Sequence, residues 1–180
     1  MLILPEAVGR RMAGSWLSNL LEDYSQDQRC RLRIDGDIYN RLRSILSNQP
    51  ITRPDIDQLL AFLPKFEDPG FEPIERWAGG TQASGALTWP YPIYAPEVMA
   101  FFSLAGQSPG NDYSYNPAEA GAMLQDDVLI ASASFDQIRV MLTGCVRGER
   151  FSDGYWGAVL REGRIQLILR RLAALRDTVP

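Results

Sequence analysis

Three apolar stripes at helical spacing crowd the end of the chain, and they constrain its fold more than any other feature. The first is Ile138, Met141, Leu142, Cys145 and Val146. The second is Trp156, Val159 and Leu160, and the third is Ile165, Ile168, Leu169, Leu172 and Leu175. Apolar residues three and four apart share one helical face, so each stripe must be buried against another element. Ser134-Phe135-Asp136-Gln137 reads as a capping box that starts the first helix. Gly148 is expected to close it in the left-handed conformation, and Arg147 complements the negative helix end. Asp153 is expected to cap the second helix, and Gly163 to end or bend it.

Residues 137–164 therefore read as two helices joined by a charged, aromatic turn. That turn sets Arg147, Glu149 and Arg150 beside Phe151, Tyr155 and Trp156. Two chemistries fit. In the first, Glu149 pairs with one or both arginines and clamps the helix ends, a geometry that suits the planar guanidinium. In the second, the arginines bind an anionic group, the aromatics stack, and Glu149 or Asp153 acts as acid or base. Ion-pair networks at helix junctions are common, and carboxylates mark sites only statistically, which favours the clamp.

A chain of 180 residues reads as one domain with a small extra unit. At that length about 70% of the unfolded surface is buried, enough for a core without staples. No apolar run approaches the roughly 20 residues of a membrane helix. The opening MLILPEAVGRRMAG places its apolar residues before its arginines, the wrong order for a secretory signal, so a cytoplasmic protein is expected. Histidine is absent. That removes His-based triads and most zinc or iron sites, though carboxylate chemistry needs none. Cys30 and Cys145 are far apart and form no zinc motif. Cys145 reads as a small core residue. Neither a cofactor nor a metal site is expected.

Charge is unevenly spread. Residues 1–50 carry 7 basic and 6 acidic groups, residues 51–138 carry 3 and 12, and residues 139–180 carry 8 and 4. The basic end either packs on the acidic middle or faces a partner.

Taken in order, Met12, Trp16, Leu20 and Leu21 make a helical stripe. Residues 29–34 then alternate arginine with apolar residues, as a half-buried strand does. A further helix carries Ile38, Leu42, Ile45 and Leu46. Thr52 caps the next, with Pro54 in its first turn and Ile56, Leu59, Leu60 and Leu63 facing the core. Between residues 71 and 94, glycines and prolines punctuate β-type residues, which predicts a short hairpin or irregular strands. The prolines keep it from the centre of any sheet. Trp89, Tyr91 and Tyr94 either line a groove or plug one side of a helical core, and the core area that aromatics supply favours the plug. Gly79-Gly80-Thr81-Gln82 is not a phosphate loop, lacking the lysine and the following helix. Pro96 opens a helix with Val98, Phe101, Phe102 and Leu104. Asn116-Pro117 starts another, with Met123 and Leu124 inside. Asp126-Asp127 reads as its solvated end, since adjacent residues point in different directions on a helix.

Two resemblances follow. Strand, helix, turn and helix over residues 29–63 resemble the ribbon-helix-helix DNA-binding family. The resemblance implies that the strand pairs with its twin in a dimer and that Arg29, Arg31 and Arg33 read the major groove, arginine being suited to guanine edges. The second rests on Ile51-Thr52-Arg53-Pro54-Asp55-Ile56-Asp57 with LLAFLPKFE, then GALTWPYPIY and CVRGERFSDGYWGA. Together these resemble a family of uncharacterised bacterial proteins, a domain of unknown function, over about residues 51–176. It implies family membership, not an activity. The two compete, because the boundary at residue 51 cuts the ribbon-helix-helix pattern at its second helix.

The expected fold is mainly α, α+β in class, with about seven helices and one short hairpin or irregular strands. Residues 1–50 read as a helix-strand-helix extension and residues 51–180 as a helical domain. The first functional reading is a non-enzymatic cytoplasmic interaction or regulatory protein that meets another protein, or itself, through Arg147, Glu149, Arg150, Asp153, Tyr155, Trp156, Trp89 and Tyr91, without a membrane. The alternatives are a DNA-binding regulator using Arg29, Arg31 and Arg33, and a carboxylate enzyme acting on an anionic substrate.

Overall fold

The computed structural model describes residues 51–178, apart from 82–84, 86, 108, 113 and 114. Cys30, Arg29, Arg31 and Arg33, and the whole expected extension, lie outside the described residues. Helix α1 spans Arg53–Leu60 and α2 Leu63–Phe66. Strands β1 (Ile74–Thr81) and β2 (Leu87–Tyr94) follow, then α3 (Pro96–Ala105), α4 (Pro117–Leu124), α5 (Asp127–Ser132), α6 (Phe135–Gly148), α7 (Tyr155–Arg161) and α8 (Arg164–Leu175). A 3-10 turn over Arg176–Thr178 ends the described chain. The fold is mainly α with one antiparallel hairpin.

The start signals act as read. The Ser134 hydroxyl accepts from the Gln137 amide, and Gln137 accepts from the Ser134 amide at 2.8 Å, closing the capping box of α6. Asn116 accepts from the Ala118 amide at 3.0 Å with Pro117 in the first turn of α4. Asp126 is where the reading was wrong. Asp126 does not end a solvated helix. Its carboxylate accepts from the Val128 and Leu129 amides and opens α5, and Asp127 pairs with Arg164 of α8.

The third stripe is the core's spine. Ile165, Ile168, Leu169 and Leu172 of α8 are fully buried and join Ile56, Val98, Ile130, Ile138, Met141 and Leu142 from four other helices. The apolar face of α1 is thus occupied within this chain rather than left for a twin. An aromatic ladder crosses the same core. Phe66 meets Phe101 edge-on at 5.3 Å, Phe101 meets Phe102 edge-on at 5.1 Å, and Phe102 stacks on Trp156 at 4.5 Å and 8°. Tyr94, at the base of the hairpin, closes the row 5.4 Å from Trp156. Such pairs add to plain area burial.

The basic end packs on the acidic middle. Arg161 pairs with Glu72, Arg164 with Asp127, Arg170 with Glu67, and Arg176 with Asp57 through two bonds. The Arg176 guanidinium holds the Asp57 carboxyl below its ordinary value. A depressed carboxyl stabilises the fold above its unfolded pKa, and that contribution is lost as pH falls through the folded value. Both groups are open to solvent, so the effect is small.

One polar knot lies inside the core. Thr143 of α6 is fully buried; its hydroxyl donates to the Arg139 carbonyl at 2.7 Å and accepts from the Asp112 amide at 2.8 Å. It also sits 3.1 Å from the Asn111 side-chain oxygen, while the Asn111 side-chain amide donates to the Gly106 carbonyl at 2.9 Å. The knot ties the loop after α3 to α6. Thr143→Val keeps the volume and removes the acceptor for Asp112, so a loss of about 1–2 kcal/mol in chemical denaturation is expected.

Candidate functional site

The α6–α7 turn and the hairpin meet at one junction, and Glu149 is its centre. Glu149 pairs with neither arginine. Its two carboxylate oxygens accept from the Gly154 amide and the Trp156 amide, each at 3.0 Å. These are donors that the first turn of a helix leaves without intrahelical partners, and a negative charge suits that helix end. The cap of α7 therefore comes from five residues upstream. Asp153, the expected cap, is exposed, and the N-cap residue is Gly154.

Trp156 serves the other helix end. Its indole N–H donates to the Cys145 carbonyl at 3.1 Å and the Val146 carbonyl at 3.3 Å, near the C-terminus of α6, where carbonyls run out of partners. Glu149 and Trp156 together join the end of α6 to the start of α7. The clamp is real, but it is built from backbone groups rather than arginines. Arg147 lies instead over the Tyr115 ring, 5.1 Å from its centroid, a cation–π contact. Arg150 is exposed.

Two glycines allow the close packing here. Gly148 does not take the left-handed conformation expected of it. A Cβ there would lie 2.4 Å from the Tyr155 ring, so the position is glycine because that ring rests directly on the backbone. Gly154 does adopt φ +89°, and a Cβ on it would lie 2.9 Å from the Trp77 ring.

The hairpin is docked by the same turn. Ile74 packs on Gly157 and Trp77 on Gly154, and the Ala95 amide donates to the Pro73 carbonyl at 3.1 Å to close the base. Ile74 pairs with Tyr94 and Trp77 with Pro92, while Arg76 pairs with Ile93 and Ala78 with Tyr91. Residues directly opposite share a face, so Tyr91 and Ile93 look away from the side that holds Ile74 and Trp77. The ladder is irregular around Glu75 and again around Gly79, where the β2 backbone lies over the glycine. Beyond its base the hairpin is an arm. Trp89 is 82% exposed and Leu87 73%, with Tyr91 also open to solvent. The expected plug is therefore wrong for Trp89 and Tyr91. Proline at positions 90 and 92 and two ladder irregularities hold this stretch away from the helical core, and only Tyr94 reaches it. Phe151, at the tip of the α6–α7 turn, is 87% exposed.

Titration at the junction follows burial. The Tyr94 hydroxyl is buried beside Glu149 and the Trp156 and Gly157 amides without a hydrogen bond of good geometry, and desolvation with the nearby carboxylate raises its pKa above the ordinary tyrosine value. Burial pushes Tyr155 up to about 12 and Cys145 up to about 12. Cys145 thus stays a thiol packed in the core, as its place on the apolar face implied. Trp156 and Tyr155 are likewise held in packing, whereas Arg150, Asp153, Trp89 and Tyr91 are at the surface. Glu149 has both oxygens occupied by amides, and exposed Asp153 shares none of these bonds. Sequence reasoning passed over Trp77, because the glycine it lies on, Gly154, is 77 residues away and leaves no local signal.

Among the described residues no group of three or more histidine, cysteine, aspartate or glutamate side chains is placed to hold a metal ion, and no helix is long and apolar enough to cross a membrane. No curated protein and no solved structure matches the chain. The model of one family does match, across residues 51–178, the stretch that holds the clamp, the arm and the whole described core. The chain belongs to that family, DUF6508, a family of unknown function.

Proposed function

We propose that the chain is a cytoplasmic protein-interaction module whose contact surface is the hairpin arm together with the Phe151 tip. One observation carries this reading: Trp89, Leu87, Trp77 and Phe151 stand in solvent on two neighbouring elements, with Tyr91 exposed on the arm's other face. Single exposed apolar residues are ordinary, but a concentration of them marks an interaction surface. Tryptophan and tyrosine are also the residues that most often dominate binding energy. The α6–α7 clamp is the rigid mount of this surface, and Arg150 and Asp153 belong to its polar rim.

The test is capture of partner proteins from the source cell by the tagged full chain, with Trp89→Asp and Phe151→Asp beside the wild type. Both positions are exposed, so stability should stay within about 0.5 kcal/mol of wild type. Specific partners are expected to be lost from both variants. Equal recovery by all three chains contradicts the reading.

A further inference from the structure

We propose that the outer edge of β1 is a docking edge for a third strand supplied by this same chain, residues 29–34. This goes beyond the arm's role as a contact surface and does not depend on it.

The two edges of the hairpin differ. Among the described residues the sheet has two strands, so each strand has one side without a strand neighbour. β2 carries Pro90 and Pro92. A proline in a paired strand keeps its nitrogen on the side away from its partner, so two donors are missing from the outer edge of β2. Prolines placed this way blunt an edge. β1 has no proline, and positions 75–81 are exposed or half-buried throughout. A row of open backbone N–H and C=O groups is a template for another strand. Two strands alone are marginal in water, whereas three with an apolar face are stable.

Residues 29–34 lie outside the described residues, and their sequence fits that edge. Arg29, Arg31 and Arg33 alternate with Cys30, Leu32 and Ile34, the pattern of a strand with one apolar and one wet face. The arm has the same two-sidedness. Trp77 and Leu87 share one face and Tyr91 lies on the other. Added along β1, the segment extends the Trp77 face with Cys30, Leu32 and Ile34 and sets its arginines on the opposite side.

Charge and tether both favour this segment over a second copy of the chain. The three arginines meet the acidic middle of the sequence, whose Asp68, Glu72 and Glu75 stand exposed at the foot of β1. Residues 35–51 join the strand to α1, and fully extended they reach about 56 Å. The described domain is about 36 Å across for its length, so β1 is within reach. A tether of this kind holds the strand at an effective concentration that free copies do not attain. A ribbon-helix-helix dimer would pair the same strand with its twin, so the two arrangements exclude each other.

Hydrogen–deuterium exchange read by mass spectrometry on the full chain tests this. Residues 29–34 should exchange at least about tenfold more slowly than an unpaired peptide, and equally at low and high protein concentration. Consecutive amides of a strand point to opposite edges, so one of Arg31→Pro and Leu32→Pro must delete a bond to β1. At least one of these variants should lose the protection of residues 29–34 and speed exchange in β1, while α6 and α8 stay as slow as in the wild type. Fast exchange of residues 29–34 in the wild type overturns the proposal. Protection that appears only as concentration rises assigns the edge to a second copy and overturns it too. So does protection that neither proline disturbs, or that is lost with β1 unchanged, since the strand then pairs elsewhere.

Discussion

Glu149→Ala is expected to lower the stability of the domain by about 3 kcal/mol. Hydrogen bonds to a charged group contribute about 1.5–3 kcal/mol each, and this carboxylate accepts two, from the Gly154 and Trp156 amides. Its removal leaves both donors partly buried without a replacement, and Trp156 loses the anchor that aims its ring. Urea unfolding should show a lower midpoint with an unchanged slope, the sign of a stability change alone. Glu149→Gln keeps one acceptor and should cost roughly half as much. Arg150→Ala discriminates between two clamps. An arginine–carboxylate clamp would make it nearly as damaging as Glu149→Ala, whereas an exposed Arg150 makes it neutral within about 0.5 kcal/mol.

Phe102→Ala carries the largest expected loss, about 3–5 kcal/mol. Phe102 is 1% exposed and occupies the middle of the aromatic ladder, edge-on to Phe101 and stacked on Trp156. Its loss opens a cavity between α3 and α7 and removes the surface against which Trp156 lies. At roughly 2–4 °C per kcal/mol for a chain of this size, Tm should fall by about 6–20 °C. The near-UV spectrum should also change, because Trp156 loses its stacking partner.

Much of the fold was legible because helices advertise themselves locally. The stripes over residues 138–175 became α6, α7 and α8, and both Ser134 and Asn116 capped the helices they were assigned. The Arg-rich end packed on the acidic middle, as its charge layout allowed. The missed features share a cause. Glu149 chose backbone amides, and an amide has no sequence signature, so the arginines beside it looked like the better partners. Gly148 and Gly154 are indistinguishable as letters; one makes room for the Tyr155 ring, the other turns the chain. Asp126 capped a new helix after a break too short to register as a loop. The exposure of Trp89 depends on where a proline-rich strand leaves the core, which apolar composition alone does not reveal.

On the proposed reading, the clamp should govern stability and the arm should govern binding. Thermal unfolding and partner capture measured together on Trp89→Asp test that division most directly. Tm within about 2 °C of wild type, as expected for an exposed site, with partner capture lost, is the expected pair of results. Undiminished capture by a folded Trp89→Asp chain would show that the hairpin arm is not the contact surface.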